Sequence, residues 1–185
     1  MTEIKKEKFE NYIKILLKWQ KAINLISPKT IPSIWERHFK DSLYLYDYLK
    51  DKENIYDIGS GGGFPGMVLS VAGIKGINFI EADERKCFFL KEIKKEYNID
   101  CNIINDRVEK IKSKANTIIG RAFAPLDKFL DLCENIIYDK TEMYLLKGEN
   151  INEEINKAKI NWNFNFVLNK KQDGFIIKIT NISKK

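Results

Sequence analysis

The sequence predicts an α/β fold, a doubly wound and mostly parallel sheet of seven strands preceded by an N-terminal helical extension. Three observations carry this. From Asn54 onward, short apolar runs alternate with stretches of helical period, the pattern of βαβ units in which each parallel strand returns through a helix. A glycine-rich segment, Asp57-Ile-Gly-Ser-Gly-Gly-Gly-Phe-Pro-Gly66, falls between the first run and the first helical stretch. The last two runs are joined by a segment ending in Asp173-Gly174, a pair that favours a hairpin, so the final strand is expected to run against its neighbour.

Residues 3–26 have the period of an amphipathic helix, with Phe9, Tyr12, Ile13, Leu16, Leu17 and Ile23 near one face. A second helix is expected from Ser33, which forms a capping box with Glu36, and Ile34, Phe39, Leu43, Tyr46 and Leu49 recur at helical spacing to about Lys50. Strands are expected at 55–58, 77–81, 102–105, 117–121, 143–147, 164–168 and 175–180. Helices are expected between them at 66–72, 85–97, 107–112, 126–136 and 151–159. No linker separates a second unit, so residues 1–50 are read as a helical extension packed on a 51–185 core, one structural domain overall.

A chain of 185 residues buries roughly 70% of its unfolded surface and needs no disulfide or metal staple. An aromatic content of 12% argues against disorder. No apolar run approaches the roughly 18 residues of a membrane span, and the charged opening Met-Thr-Glu-Ile-Lys-Lys-Glu-Lys does not suit a signal peptide, so a cytoplasmic protein is expected. Cys87, Cys101 and Cys133 form no C-x-x-C pair and have a single histidine for company; core positions are expected for them, and no metal site. The net charge of +6 points modestly to an anionic partner such as RNA.

The glycine loop carries the chemistry. Gly59, Gly61 and Gly63 permit positive φ and let backbone amides approach a ligand, while Pro65 suits the first turn of a helix. Two ligands fit the spacing. A dinucleotide would use Gly61-x-Gly63-x-x-Gly66 with Glu81 on its ribose. S-adenosylmethionine would use Asp57-x-Gly59-x-Gly61-x-Gly63, with Asp57 helping to hold the methionine ammonium and Glu81 accepting the ribose hydroxyls. Spacing alone does not separate them; the acid two residues before the first glycine and the reversed last strand favour S-adenosylmethionine.

Several ordered segments then resemble one family. These are Asn24-Leu25-Ile26, Arg37-His-Phe-Lys-Asp-Ser-Leu43, the glycine loop with its Phe-Pro-Gly ending, and Glu81 followed by Arg85-Lys-Cys-Phe-Phe-Leu90. Asp106-Arg-Val-Glu109, Arg121-Ala-Phe-Ala124 and Leu146-Lys-Gly148 complete the set. Together they are similar to the bacterial 16S ribosomal RNA guanine-N7 methyltransferases of the glucose-inhibited division protein B type. Ala82 stands where that family usually has serine, Arg85-Lys86 replaces its Lys-Arg pair, and nothing beyond Gly148 matches.

The resemblance implies a class I, Rossmann-like methyltransferase that uses S-adenosylmethionine on a guanine in the decoding-region loop, with 16S ribosomal RNA or the small subunit as partner; a monomer is expected. It also implies that Gly59 and Phe64 line the cofactor pocket, that Val108 and Glu109 border the adenine, and that Arg121 reaches the cofactor. Asp106 competes with Glu109 for the adenine contact. The rival readings are a methyltransferase of small molecules, a nicotinamide-dependent oxidoreductase and a non-catalytic RNA-binding module.

Guanine N7 carries a lone pair and no proton, so its methylation needs no general base. The chain has no Pro-Pro that would mark an exocyclic amine target, and no cysteine follows a proline as a carbon-5 target would require. No acid–base catalyst is expected. Arg121, Lys147, Arg37 and His38 are the candidates for positioning substrate. Arg121 is read as a ligand of a carboxylate or phosphate, because guanidinium stays protonated. Arg37 and Asp41, four apart, are spaced to pair, and His38 is not read as a base. The first-helix lysines with Arg85, Lys86, Lys94 and Lys95 form a candidate electrostatic footprint for RNA.

Overall fold

A computed structural model describes residues 5–185 of the chain. Its strands are β1 (Ile55–Ile58), β2 (Ile77–Ile80), β3 (Asn102–Ile104), β4 (Thr117–Arg121), β5 (Glu142–Lys147), β6 (Trp162–Lys171) and β7 (Gly174–Lys184). They form one seven-stranded sheet in the order β3-β2-β1-β4-β5-β7-β6. β1 to β5 pair in parallel, whereas β7 runs antiparallel to both β5 and β6. The chain winds outward from β1 to β3 and restarts at β4, so the strand order reverses between β1 and β4. The crevice beyond the carboxyl ends of those two strands is where such sheets take ligands.

Both faces of the sheet are covered, and the alternation of side chains along the strands divides the interior. Ile55, Ile77, Phe79 and Ile119 join a core that includes Met67 and Leu69 of α4 (Gly66–Ala72) and Phe89, Leu90 and Ile93 of α5 (Glu84–Glu96). Tyr56, Ile58, Ile80 and Ile118 face the other core, with Leu126, Phe129 and Leu130 of α6 (Leu126–Cys133) and Ile151 and Ile155 of α7 (Ile151–Ala158). The N-terminal segment adds Phe9, Tyr12, Leu16, Phe39, Leu45 and Leu49 to the first core. Cys87, Cys101 and Cys133 are buried thiols, as their composition suggested. Among the described residues, no helix is long and apolar enough to cross a membrane.

The helical extension departs from its expected form. In place of one helix over 3–26 there is a 3-10 turn at Lys6–Phe9 and then α1 (Glu10–Gln20); residues 3 and 4 lie outside the described residues. The chain turns back because Gln20 replaces the helical ladder: its Oε1 accepts the Leu25 and Ile26 amides at 2.9 and 3.0 Å, and its Nε2 donates to the Ile26 carbonyl. Ser33 does not cap a helix. It ends a 3-10 segment, Pro28–Ser33, and is followed by a π-helical stretch, Trp35–Lys40, then α2 (Asp41–Leu43) and α3 (Tyr46–Leu49). The wide π turn rotates the buried face, so Leu45 is buried in place of Leu43.

Elsewhere the expected boundaries shift by a few residues, with two larger differences. The helix expected at 107–112 is only a 3-10 turn at Val108–Lys110, and both terminal strands extend well beyond 164–168 and 175–180. The hairpin itself is present, with Gly174 at φ +101°; a Cβ there would lie 2.2 Å from the Lys147 carbonyl oxygen, so only glycine lets the hairpin tip sit against the end of β5.

Candidate active site

The glycine loop is fastened from three sides. The Gly59 amide donates to the Ile80 carbonyl at 2.9 Å, binding the loop to the end of β2. On the extension side, the Tyr12 hydroxyl donates to the Gly62 carbonyl at 2.8 Å. Gly63, at φ +81°, passes so close beneath that a Cβ would lie 2.0 Å from that hydroxyl. From inside the sheet, Asp57 Oδ2 accepts the Gly66 amide at 3.1 Å.

Asp57 is therefore placed differently from the direct ligand contact expected of it. It is fully buried beneath the loop, lines neither part of the cleft, and leaves Oδ1 without a hydrogen-bond partner. Burial, with a smaller contribution from the nearby Glu81 carboxylate, raises its pKa to about 7. Its geometry is that of a brace under the amides.

Glu81, just past the end of β2, folds over the loop. Its Oε2 accepts the Gly61 amide at 2.8 Å and its Oε1 accepts the Asp83 amide at 2.9 Å. Each oxygen retains a further lone pair for a ligand hydroxyl. Gly61, at φ +52°, has nothing nearer than 3.6 Å where a Cβ would stand, so that side of the loop is open.

The cleft has two lobes. The smaller, about 220 Å³, is walled by Ile58, Ile80, Ala82, Val108 and Leu132 with Asp106, Arg107 and Glu109 at its border. The larger, about 440 Å³, is lined by the Ser60–Gly62 backbone and by Thr30, His38, Phe64, Lys86 and Arg121. Gly59, Glu81 and Phe123 belong to both. An apolar lobe with a charged border, a glutamate with free lone pairs, open loop amides and a guanidinium suit a nucleoside joined to an amino acid. Of the residues expected at a cofactor, Gly59, Val108 and Glu109 line the smaller lobe and Gly59 and Phe64 the larger; Asp106, paired with Lys110 at 3.1 Å, borders the same lobe as Glu109.

Arg121 closes the larger lobe, and the extension holds it. Its Nε pairs with Asp41 Oδ2 at 3.3 Å, its Nη2 donates to the Arg37 carbonyl, and its guanidinium lies 5.8 Å from the Phe64 ring centroid. Its Nη1 donates to His38 Nδ1 at 2.9 Å. Because arginine only donates, that ring nitrogen must accept, which places the imidazole proton on Nε2 and directs it to Thr30 Oγ1 at 2.7 Å. Thr30 in turn donates to the Ser27 carbonyl. Burial, and then the charges of Arg121 and Arg37, lower the His38 pKa to about 3. The imidazole is a neutral spacer with no free nitrogen.

Two of the expected positioning residues are engaged elsewhere. Lys147 lines neither lobe: its Nζ donates to the Ala124 carbonyl at 2.6 Å and pairs with Glu154 at 2.8 Å, tying α7 to the loop after β4. Arg37 pairs with Asp173 at the hairpin tip at 3.0 Å, not with Asp41. Asp41 instead joins Arg121 to Lys171, whose Nζ lies 2.7 Å from Oδ1. Sequence reasoning missed Tyr12 as a loop support, and although it expected the hairpin it missed that the tip reaches Arg37 and Asp41. Phe123 was visible only as part of the Arg121-to-Ala124 segment.

The chain matches the family described as rRNA small subunit methyltransferase G over residues 5–181. Ribosomal RNA small subunit methyltransferase G of Rickettsia typhi is 44% identical over 174 residues, 92% of this chain and 91% of that protein. Its Rickettsia prowazekii counterpart is 42% identical over 182 residues, 96% of this chain and 95% of that one. Among solved structures, the Synechocystis PCC 6803 magnesium protoporphyrin IX methyltransferase with bound S-adenosylmethionine superposes with a TM-score of 0.61 at 10% identity, covering 94% of this chain and 97% of that one. The ribosomal protein L11 methylase of Lactobacillus delbrueckii gives a TM-score of 0.62 at 13% identity, covering 80% of this chain and 79% of that one. At such identities these two likenesses speak to the fold alone.

Proposed function

The chain belongs to the rRNA small subunit methyltransferase G family, a class of S-adenosylmethionine-dependent enzymes acting on 16S ribosomal RNA, and we propose that it methylates N7 of a guanine in the decoding-region loop. The observation that carries the choice of atom is the composition of the larger lobe. Its titratable groups are Glu81, hydrogen-bonded to two amides, a neutral His38 with both nitrogens engaged, Lys86 and a guanidinium. None is disposed to remove a proton, and N7 has none to remove.

S-adenosylmethionine, when bound, supplies an electrophilic methyl group on a sulfonium. The residues do the positioning, an effect worth on the order of 10⁵ M in effective concentration. In this reading Gly59 and Gly61 present backbone to the donor and Glu81 accepts ribose hydroxyls through its spare lone pairs. Val108 with Asp106 or Glu109 borders the adenine, and Phe64 backs the amino-acid end. Arg121, held by Asp41 and His38, takes the methionine carboxylate or an RNA phosphate. Positive charge arising on the purine would have the Glu81 carboxylate, which lines both lobes, as its nearest acid. We place the protein in the cytoplasm as a monomer, with residues 1–50 an extension that completes the cleft of the 51–185 core. Lys86, at the mouth, leads the candidate phosphate contacts; with about five such contacts, log affinity for single-stranded RNA should fall against log salt with a slope of about −3.5.

The test is transfer of tritiated methyl to small subunits lacking the modification. Wild type should label the 16S RNA once per particle. Gly61→Asp, which puts a carboxylate into the open side of the loop opposite Glu81, and Arg121→Ala should both be inert while keeping wild-type circular dichroism. Labelling of a small metabolite with none in RNA would move the assignment to the rival methyltransferase class.

A further inference from the structure

Phe123 is the one large exposed apolar side chain among the described residues that lines the cleft, at 43% exposure. It stands at the junction of the lobes. Its ring lies against the first glycine of the loop, where a Cβ built on Gly59 would be 2.1 Å from its Cδ2, and it meets Phe129 edge-on with centroids 6.1 Å apart. The two rings stand nearly perpendicular, at 84°, so Phe129 covers at most one face of Phe123. The preceding Ala122 has φ +49°, a left-handed conformation that an L-residue adopts at a cost and that turns the next side chain back over the cleft.

The junction is the place that matters to a methyl donor. In the reading above, the nucleoside fills the smaller lobe and the amino acid the larger, so the sulfur between them lies where Gly59, Glu81 and Phe123 meet. An accepting purine must bring N7 to that spot edge-on, with its plane against something. Phe64, the other aromatic of the cleft, is already covered by Arg121, His38 and Tyr12 and is only 7% exposed. We propose that Phe123 is the stacking platform for the target guanine and so a substrate-positioning residue of the reaction, an inference that rests on the methyltransferase reading. A purine extruded from its own stack loses contact with both neighbours, and an aromatic face restores part of it at about 5- to 150-fold in affinity. Edge recognition is then left to other groups.

The experiment compares Phe123→Ala, Phe123→Leu and Phe123→Tyr with wild type in steady-state transfer to small subunits, alongside calorimetric binding of S-adenosylhomocysteine and the salt dependence of RNA binding. Alanine and leucine should raise KM for subunits by about tenfold or more. S-adenosylhomocysteine affinity should stay within about twofold and the salt slope should not change, since stacking displaces no counterions. Tyrosine should restore KM. Leucine equal to wild type, or tyrosine as impaired as alanine, overturns the stacking role and leaves only packing. Weakened S-adenosylhomocysteine binding with an unaltered KM would assign the ring to the cofactor and overturn it as well. Transfer by wild type with no KM change in Phe123→Ala sinks the platform alone, whereas no transfer by wild type sinks the substrate reading and the platform with it.

Discussion

Asp41→Asn gives the sharpest view of how the extension holds the site. One carboxylate serves two cations, Lys171 at 2.7 Å and Arg121 at 3.3 Å, and the three side chains are only 5%, 15% and 13% exposed for Lys171, Arg121 and Asp41 in turn. Asparagine keeps the shape and removes the charge, so two poorly solvated cations are left facing each other. Breaking a buried pair by removing one partner costs about 3–5 kcal/mol, and the residual exposure here argues for the lower end, about 3 kcal/mol. For a chain of this length that is a fall in Tm of about 6–12 °C. Lys171→Met in the Asp41→Asn background should recover part of the loss, because one stranded cation has gone, and the cycle should show coupling of at least about 1 kcal/mol. Thermal melts of the four proteins at neutral pH and low salt provide the data. A single variant within 2 °C of wild type, or strictly additive effects, would refute a shared buried counter-charge.

Three further outcomes follow from the same geometry. His38 is the only histidine, so its ring resonances are unambiguous; with its pKa lowered to about 3, they should not move between pH 5 and 8, and a midpoint in that range would break the Arg121–His38–Thr30 chain. Asp57 has a native pKa raised to about 7 against about 4 unfolded, so between those values the native state holds a proton that the unfolded chain has lost and stability falls as pH rises. Asp57→Asn should therefore gain on wild type by about 1.4 kcal/mol per pH unit across that window in urea titrations, and a constant difference would show that the carboxyl titrates normally. His38 works in the opposite sense, since its contribution is complete above about pH 6.5 and is lost as pH falls toward 3, so wild type alone should show a muted slope. Gly63→Ala, at φ +81° and against the Tyr12 hydroxyl, should cost about 2–5 kcal/mol, whereas Gly61→Ala should cost about 1 kcal/mol; equal melting temperatures would contradict the asymmetry of the loop.

What was legible in the sequence is what local pattern controls. The strands and crossovers repeat with their own periods, the loop announces itself by glycines at positive φ, and Glu81 lies one strand later, so the sheet and the Glu81 side of the cleft could be read. The extension could not, because its turns are made by particular side chains: Gln20 reaches six residues on to Ile26, and a π-helical stretch at Trp35–Lys40 re-phases the buried face without altering composition. Ion pairing was misread for a similar reason. Arg37 and Asp41 have the spacing of helix partners, yet each finds its partner on the hairpin tip or at the end of β4, and Lys147 finds Glu154 seven residues on across a turn. Such partners are set by topology, which brings the tip of the hairpin to Asp41 and so beside Arg121.

The central claim is a methyl group placed on one purine nitrogen by positioning alone. Among guanines, N7-methylguanine in RNA is the one opened by borohydride reduction and aniline cleavage, so small-subunit RNA treated with the purified protein and S-adenosylmethionine should gain a break at a single guanine, with a single-turnover rate flat between about pH 6 and 9. Methylated RNA that resists this cleavage, or a rate that climbs with a pKa inside that range, would contradict it.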